Sequence, residues 1–267
     1  MFNQKLLTMR KNILFIGLCI LFVGFAALDT GAQETPTAPE NFVVFEEFVS
    51  TADMATFREV QAKTVKYWKK HELGVPVYCY LNDDNAYYWV VPIENFAAID
   101  VLFEKVGALT KKMEEDGFDG QQAFRDLSNT RTSVIHWEKD LSYHPDGKYG
   151  QRKDNGYVEW AFLYMKQGHE KEATEVVKKY IDFYNSIPES SEWDLYSVVF
   201  GHDTPCWILM NRATSEMALR AHEKDLNEKY GDKFKELWAD FALHVRKIEN
   251  KKGWFQPDWS INWQTEQ

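Results

Sequence analysis

The sequence predicts an α+β fold made of two similar units joined in tandem, each with the element order βαββαβ. Residues 42–140 and 158–258 show the same order of apolar runs and turn signals. Both stretches also end in related tetrapeptides, Asp140-Leu141-Ser142-Tyr143 and Asp258-Trp259-Ser260-Ile261. Because each unit of a repeat buries a face that it cannot cover alone, this repetition predicts that the two units pack together.

Each element of the first unit, residues 42–150, is predicted from its own local signal. Runs of β-branched and aromatic residues predict strands, apolar residues three and four positions apart predict helices, and Asp53 is a suitable helix N-cap. Four polar residues at 82–85 favour a turn and so predict a hairpin. The predicted elements are a strand at 42–49, a helix from Asp53 to Gly74, hairpin strands at 77–81 and 86–91, a helix around 99–113 and a strand at 132–137.

The second unit, residues 151–267, repeats this order. Its predicted elements are a strand at 158–165, a helix at 170–184, hairpin strands at 193–200 and 206–210, a helical region at 215–248 broken near Gly231, and a closing strand near 253–256. This is the element order of the ferredoxin-like unit, whose four-stranded sheet carries helices on one face only. We therefore expect the two uncovered sheet faces to pack face to face around a shared interior.

On this element order and its aromatic-rich strands, residues 42–260 resemble the dimeric α/β-barrel superfamily, with two ferredoxin-like units fused in tandem. Within it the chain is most similar to NIPSNAP-type and antibiotic-biosynthesis-monooxygenase-type domains. The resemblance implies a barrel that binds a small molecule, or else a cofactor-independent monooxygenase or haem-handling oxidoreductase. We match none of the Asn, Trp and His positions of the haem degraders to this chain, and fold alone does not fix function.

A ligand held between the two sheets would contact the side chains that alternate toward the barrel interior. Tyrosines there offer an apolar ring and a hydroxyl, which suits an aromatic or amphipathic ligand. The alternative is that the same side chains only fill a closed core. The candidate ligand-binding residues are Glu46, Phe48, Tyr78, Tyr80, Tyr88, His136, Trp160, Tyr164, Asp194 and Tyr196.

Glu46 and His136 are the candidates with acid–base capacity, because a poorly solvated barrel displaces the pKa of such groups. The alternatives are a solvated barrel mouth for Glu46 and an ordinary core or strand-edge position for His136. His222 and His244 are candidate haem ligands on the predicted last helix, with a surface role as the alternative. His202 falls in a predicted turn, and turn polarity explains it.

Several function classes have no support in the sequence. It contains no Gly-x-Ser-x-Gly, Walker-type, Cys-x-x-Cys or dinucleotide motif. It also has no histidine pair at zinc spacing, so we predict no metal. The cofactor stays open, with haem as the one named candidate. A net charge of −10 without long basic runs makes nucleic acid a poor partner. Cys79 and Cys206 lie in apolar strand-like runs and are expected to be buried thiols rather than a disulfide.

Residues 1–32 predict an export signal. A basic segment precedes an apolar stretch at 13–28, and small residues at 30–32 offer a cleavage site before Gln33. The alternative is an uncleaved membrane anchor, although the stretch is shorter than the roughly 20 residues that span a bilayer. Cleavage would leave an exposed leader at 33–41 and a periplasmic or extracellular protein without membrane contact. Internal fusion favours a monomer, since it already pairs the two units.

Overall fold

Eight antiparallel strands close into one barrel in the computed structural model, which describes residues 39–147, 154–189 and 191–263. The predicted export signal and residues 33–38 of the predicted leader lie outside the described residues. The first half of the chain forms β1 (Asn41–Val49), α1 (Met54–Lys70), β2 (Tyr78–Asn82), β3 (Ala86–Ile93), α2 (Ala97–Glu115), α3 (Gly120–Ala123) and β4 (Ser128–Trp137). The second half forms β5 (Tyr157–Met165), α4 (Glu170–Asn185), β6 (Asp194–Phe200), β7 (Cys206–Ala213), α5 (Glu216–Ala242) and β8 (Val245–Phe255).

The strands follow the order β1-β3-β2-β8-β5-β7-β6-β4 around the barrel. Within each half the fourth strand pairs with the first, the first with the third, and the third with the second. The halves meet at two seams, where β2 pairs with β8 and β4 pairs with β6. The two sheets are thus hydrogen-bonded along both edges, and closure leaves no open sheet edge.

The side chains of this barrel separate into an interior cluster and an outer layer. The interior cluster draws buried residues from both halves, including Val44 of β1 and Trp160 of β5. On the outside, α1 and α2 cover the first half, where Phe57 is fully buried. Helices α4 and α5 cover the second half through residues such as Val176 and Phe241. The inner faces of the described strands therefore enclose one shared interior.

The predicted end of the chain is wrong in two respects. Helix α5 runs without a break through Gly231, and it ends at Ala242 rather than near Ile248. Val245 and Ile248 have helical spacing, but both lie in β8 opposite residues of β5. A glycine costs a helix only about 1 kcal/mol relative to alanine, which the packing of α5 against α4 outweighs.

Strands β4 and β7 are longer than their local patterns predict. β4 begins at Ser128 rather than at Thr132, and β7 extends to Ala213 rather than ending at Met210. Cys79 and Cys206 are buried free thiols, as expected. Among the helices that the structure describes, no candidate for a membrane span is found.

Candidate functional site

The middle of the barrel is filled by aromatic rings. Trp160 packs edge-on against Tyr80, with ring centroids 5.7 Å apart, and at a tilt against Tyr88 at 5.3 Å. The ring of Phe255 lies 5.4 Å from that of Tyr80. These four residues are at most 9% exposed and form a buried aromatic layer.

The first polar cluster, which we call the Glu46 cluster, consists of Glu46, Arg131 and His202. Glu46 lies on β1 directly opposite Arg131 on β4, and its side chain is 1% exposed. Arg131 donates from Nη2 to Oε2 at 2.5 Å and from Nε to Oε1 at 3.1 Å. His202 Nε2 lies 2.8 Å from Oε1. A solvated position for Glu46 is therefore wrong, because the protein itself supplies the partners of this carboxylate.

These contacts determine the ionisation of Glu46. Burial opposes ionisation of Glu46, but the hydrogen bonds and charges of His202 and Arg131 outweigh it and lower the pKa of the carboxyl group. An ionised carboxylate only accepts hydrogen bonds, so His202 Nε2 must be the donor. In the neutral ring the lone pair is then on Nδ1. Nδ1 has no hydrogen-bond partner among the described residues.

His202 is held in place by the turn between β6 and β7. The preceding residue, Gly201, has φ +101°, and a Cβ there would lie 2.4 Å from the carbonyl oxygen of Thr132. Only glycine allows this close approach, which presses the turn against β4. The His202 side chain is 3% exposed, and its ring centroid lies 5.4 Å from that of Phe162. Turn polarity is therefore the wrong explanation for His202.

Solvent reaches the Glu46 cluster from the side of Arg131. The Arg131 side chain is 43% exposed, and its guanidinium carbon lies 5.3 Å from the centre of the Phe48 ring. Phe48 itself is 37% exposed. Tyr88 lies opposite Glu46 on β3, where burial and the carboxylate charge raise the pKa of its hydroxyl. This end of the barrel thus combines an accessible cation, a buried anion and aromatic walls.

The second polar cluster, the Asp194 cluster, consists of Asp194, Arg212 and His144. Asp194 accepts hydrogen bonds from Arg212 Nη1 and His144 Nε2, the latter at 2.9 Å. All three side chains are buried, with exposures of 2%, 6% and 2%. Burial opposes ionisation of Asp194, but the charge of Arg212 and the hydrogen bond from His144 outweigh it and lower its pKa to about 2.

The two clusters lie at opposite ends of the barrel. β1 and β6 each pair antiparallel with β4, so they run in the same direction. Glu46 is near the end of β1, whereas Asp194 is the first residue of β6.

The structure brings most of the predicted site residues into this interior, but not all. Interior positions are occupied by Glu46, Tyr78, Tyr80, Tyr88, Trp160, Tyr164, Asp194 and Tyr196, while Phe48 lies at the rim. His136 is the exception. It lies opposite Asn41, with Nδ1 3.0 Å from Asn41 Oδ1, and shares the outer side of the strands with Val43 and Val134. Its predicted barrel-facing position is wrong.

A groove of about 760 Å³ lies outside the barrel, between the end of α1 and residues 257–263. It contains none of the predicted site residues. Within the described ranges, no group of three or more His, Cys, Asp or Glu side chains is placed to hold a metal ion.

The described strands and their covering helices define an α+β protein with a closed eight-stranded antiparallel barrel. No protein-family model and no curated protein matches the chain. A candidate monooxygenase from Lactobacillus acidophilus NCFM is similar in structure, with a TM-score of 0.52, 14% identity, and 82% of this chain and 94% of that chain covered. An anthrone oxidase-like protein has a TM-score of 0.55, 11% identity, and 81% and 92% coverage.

A candidate chlorite dismutase has a TM-score of 0.48, 12% identity, and 83% and 97% coverage. The first two likenesses, at such low identity, show the fold alone. They confirm the predicted α+β barrel class.

Proposed function

We propose that this chain is an exported small-molecule-binding protein, a monomer of two fused ferredoxin-like units, whose ligand is an aromatic compound with a hydroxyl group. The proposed site is the Glu46 cluster. The observation that carries the proposal is the ionised, 1% exposed carboxylate of Glu46 between a half-exposed Arg131 and His202. We also propose that the chain is related to NIPSNAP-type or antibiotic-biosynthesis-monooxygenase-type domains.

The chemistry of the Glu46 cluster favours this ligand class. Phe48 at the rim and Phe162 beside His202 offer apolar surfaces to a ring. Arg131 directs two of its five N–H donors to Glu46, so others can donate to a ligand oxygen. His202 Nδ1, which has no partner among the described residues, would add an acceptor in the neutral ring. An apolar wall with a few convergent polar groups is typical of small-molecule sites.

The second candidate function is an oxidoreductase that oxidises such a ligand with molecular oxygen and without a cofactor. Two observations favour it. The structures similar in fold include a candidate monooxygenase and an anthrone oxidase-like protein. In addition, a carboxylate-bound histidine is suited to removing a proton from the ligand, which raises its electron density before oxidation.

The described barrel interior does not fit haem, the cofactor that a haem-handling oxidoreductase would require. Both interior histidines, His144 and His202, direct Nε2 to a carboxylate. The rings of Tyr80, Tyr88 and Trp160 pack against one another in the interior, with centroids of Trp160 5.7 and 5.3 Å from those of Tyr80 and Tyr88. His244 has its Nδ1 3.1 Å from His169 Nδ1. We therefore derive no step through haem.

Calorimetric titration with 4-nitrophenol, a phenol that ionises near neutral pH, tests the proposed site. We expect saturable binding, and we expect Arg131→Gln to weaken it by about tenfold, since a charge-assisted hydrogen bond contributes roughly 1.5–3 kcal/mol. Arg220→Gln is the matched control, because Arg220 is 49% exposed and pairs with Glu159 and Glu223, outside the Glu46 cluster. Absence of binding, or equal affinities of the two variants, would contradict the proposal.

A further inference from the structure

We propose that His202 is a proton acceptor that ionises the bound ligand, and that the ligands of this site are therefore acidic phenols and enolisable ketones of similar acidity. This inference rests on the proposed function and deepens it. It assigns a role to a residue that lies in a turn and not in any recognisable motif.

The first reason is the arrangement of the two ring nitrogens of His202. Nε2 donates to Glu46 Oε1 at 2.8 Å, which fixes the tautomer and leaves a basic lone pair on Nδ1. The carboxylate also stabilises the imidazolium that forms when Nδ1 takes a proton. Glu46 is thus a positioning residue, and His202 is the group that would touch the ligand.

The second reason is the charge balance of the cluster. Glu46 and Arg131 are in direct contact and carry opposite charges. In the proposed step the O–H bond of the phenol breaks, its proton moves to His202 Nδ1, and the electron pair stays on the phenolate oxygen. The new cation then lies beside Glu46, and the new anion lies within reach of Arg131. No net charge is created in a poorly solvated site, where unbalanced charge would be costly.

The third reason is that the ring of His202 cannot easily turn away. Gly201 fixes the turn against β4, and Phe162 covers one side of the ring. Among the described residues, several ionisable groups surround this end of the barrel: Glu46, Arg131, Asp84, Tyr88, Tyr164, Cys206, Arg246, Lys247 and Glu249. Burial raises the pKa of both tyrosines above its ordinary value, and Tyr164 donates to Glu249 at 2.8 Å. Neither tyrosine competes with His202 as a base.

His144 in the Asp194 cluster is a useful contrast. It has the same contact between Nε2 and a carboxylate, but its arginine neighbour is only 6% exposed. A ligand has no comparable access there. The inference therefore applies to His202 and not to His144.

The test measures the ionisation of bound 4-nitrophenol, whose phenolate absorbs visible light. With saturating protein, we expect the pH midpoint of phenolate formation to fall by about one unit or more relative to free 4-nitrophenol, which corresponds to at least a tenfold change in the ionisation constant. His202→Asn should abolish this shift. His136→Asn is the matched control and should retain it, because His136 lies on the outer side of β4.

Glu46→Gln provides a second variant in case His202→Asn does not fold. It should reduce the shift, because the amide keeps a hydrogen bond but cannot stabilise the imidazolium. An unshifted midpoint for bound 4-nitrophenol in the native protein, or an equal shift in the His202→Asn and His136→Asn variants, would overturn the inference while leaving binding intact. Failure of the native protein to bind 4-nitrophenol would instead overturn the proposed function, and the inference with it.

Discussion

The two ends of the barrel use the same three residue types in different environments. Each has a buried carboxylate held by an arginine and by Nε2 of a histidine. Arg131 in the Glu46 cluster is 43% exposed, whereas Arg212 in the Asp194 cluster is 6% exposed. The difference shows that residue type alone does not make a site. An arginine that reaches solvent can exchange a partner with a ligand, while a fully enclosed arginine cannot.

Enclosure also changes what each arginine contributes to stability. Removing one partner from a buried ion pair leaves an uncompensated charge, which costs more than the pair contributes when intact. Water can replace the lost partner of Glu46 through the opening beside Phe48. The side chains of Asp194 and Arg212 are enclosed, with exposures of 2% and 6%. The Asp194 cluster should therefore matter mainly for stability.

The largest expected effect is a loss of stability when Arg212 or Arg131 is replaced. Arg212→Met should lower the free energy of unfolding by about 3–5 kcal/mol, because it leaves Asp194 buried without its cation. Arg131→Met should lower it by about 1–2 kcal/mol, since solvent compensates. Urea denaturation of both variants measures the difference. Equal losses, or a larger loss for Arg131→Met, would remove the distinction between the two ends.

A second expected effect is on acid stability. The pKa of Asp194 is about 2 in the folded state, below its ordinary value of 3.8. The stability that this carboxylate contributes is therefore complete above pH about 4 and is lost as the pH falls toward about 2. Asp194→Asn should unfold with a shallower pH dependence in this window, as measured by denaturation at several pH values. If the free energy of unfolding of Asp194→Asn depends on pH as steeply as that of the native protein, other carboxylates determine the acid stability.

The smallest expected effect is coupling between the two ends. Glu46→Gln and Asp194→Asn remove one charge from each cluster, and the clusters lie at opposite ends of the barrel with the rings around Trp160 between them. Their effects on the free energy of unfolding should add within about 0.5 kcal/mol in the double variant. A coupling well above about 1 kcal/mol would mean that the aromatic layer transmits a change from one cluster to the other.

The sequence predicted the order of strands and helices because that order depends on local patterns. The end of the chain was mispredicted because β8 depends on distant partners. Val245 and Ile248 fit a helical stripe when considered alone, and only pairing with β5 and β2 makes this segment a strand. Local periodicity contains no information about such pairing.

The candidate site was predicted in part, and two short boundary errors explain much of the rest. The predicted strands begin one residue after Arg131 and end two residues before Arg212, so both arginines lie outside the predicted strands but inside the observed ones. If the alternation of inward and outward side chains is continued along β4 and β7, Arg131 and Arg212 both fall on the inward side. A buried acid requires a partner, and this requirement was the signal that pointed to a nearby cation. His144 and His202 lie outside the strands, where alternation predicts nothing.

The seam between β4 and β6 has a consequence for how many ligands one chain can hold. Glu46 and Arg131 come from the first half of the chain, and His202 comes from the second, so the site exists only where these two halves meet. At the other seam, between β2 and β8, a different set of side chains meets. Two identical subunits would have to carry every site in duplicate. If the Glu46 cluster binds the proposed ligand, we expect one ligand per polypeptide, at the seam between β4 and β6.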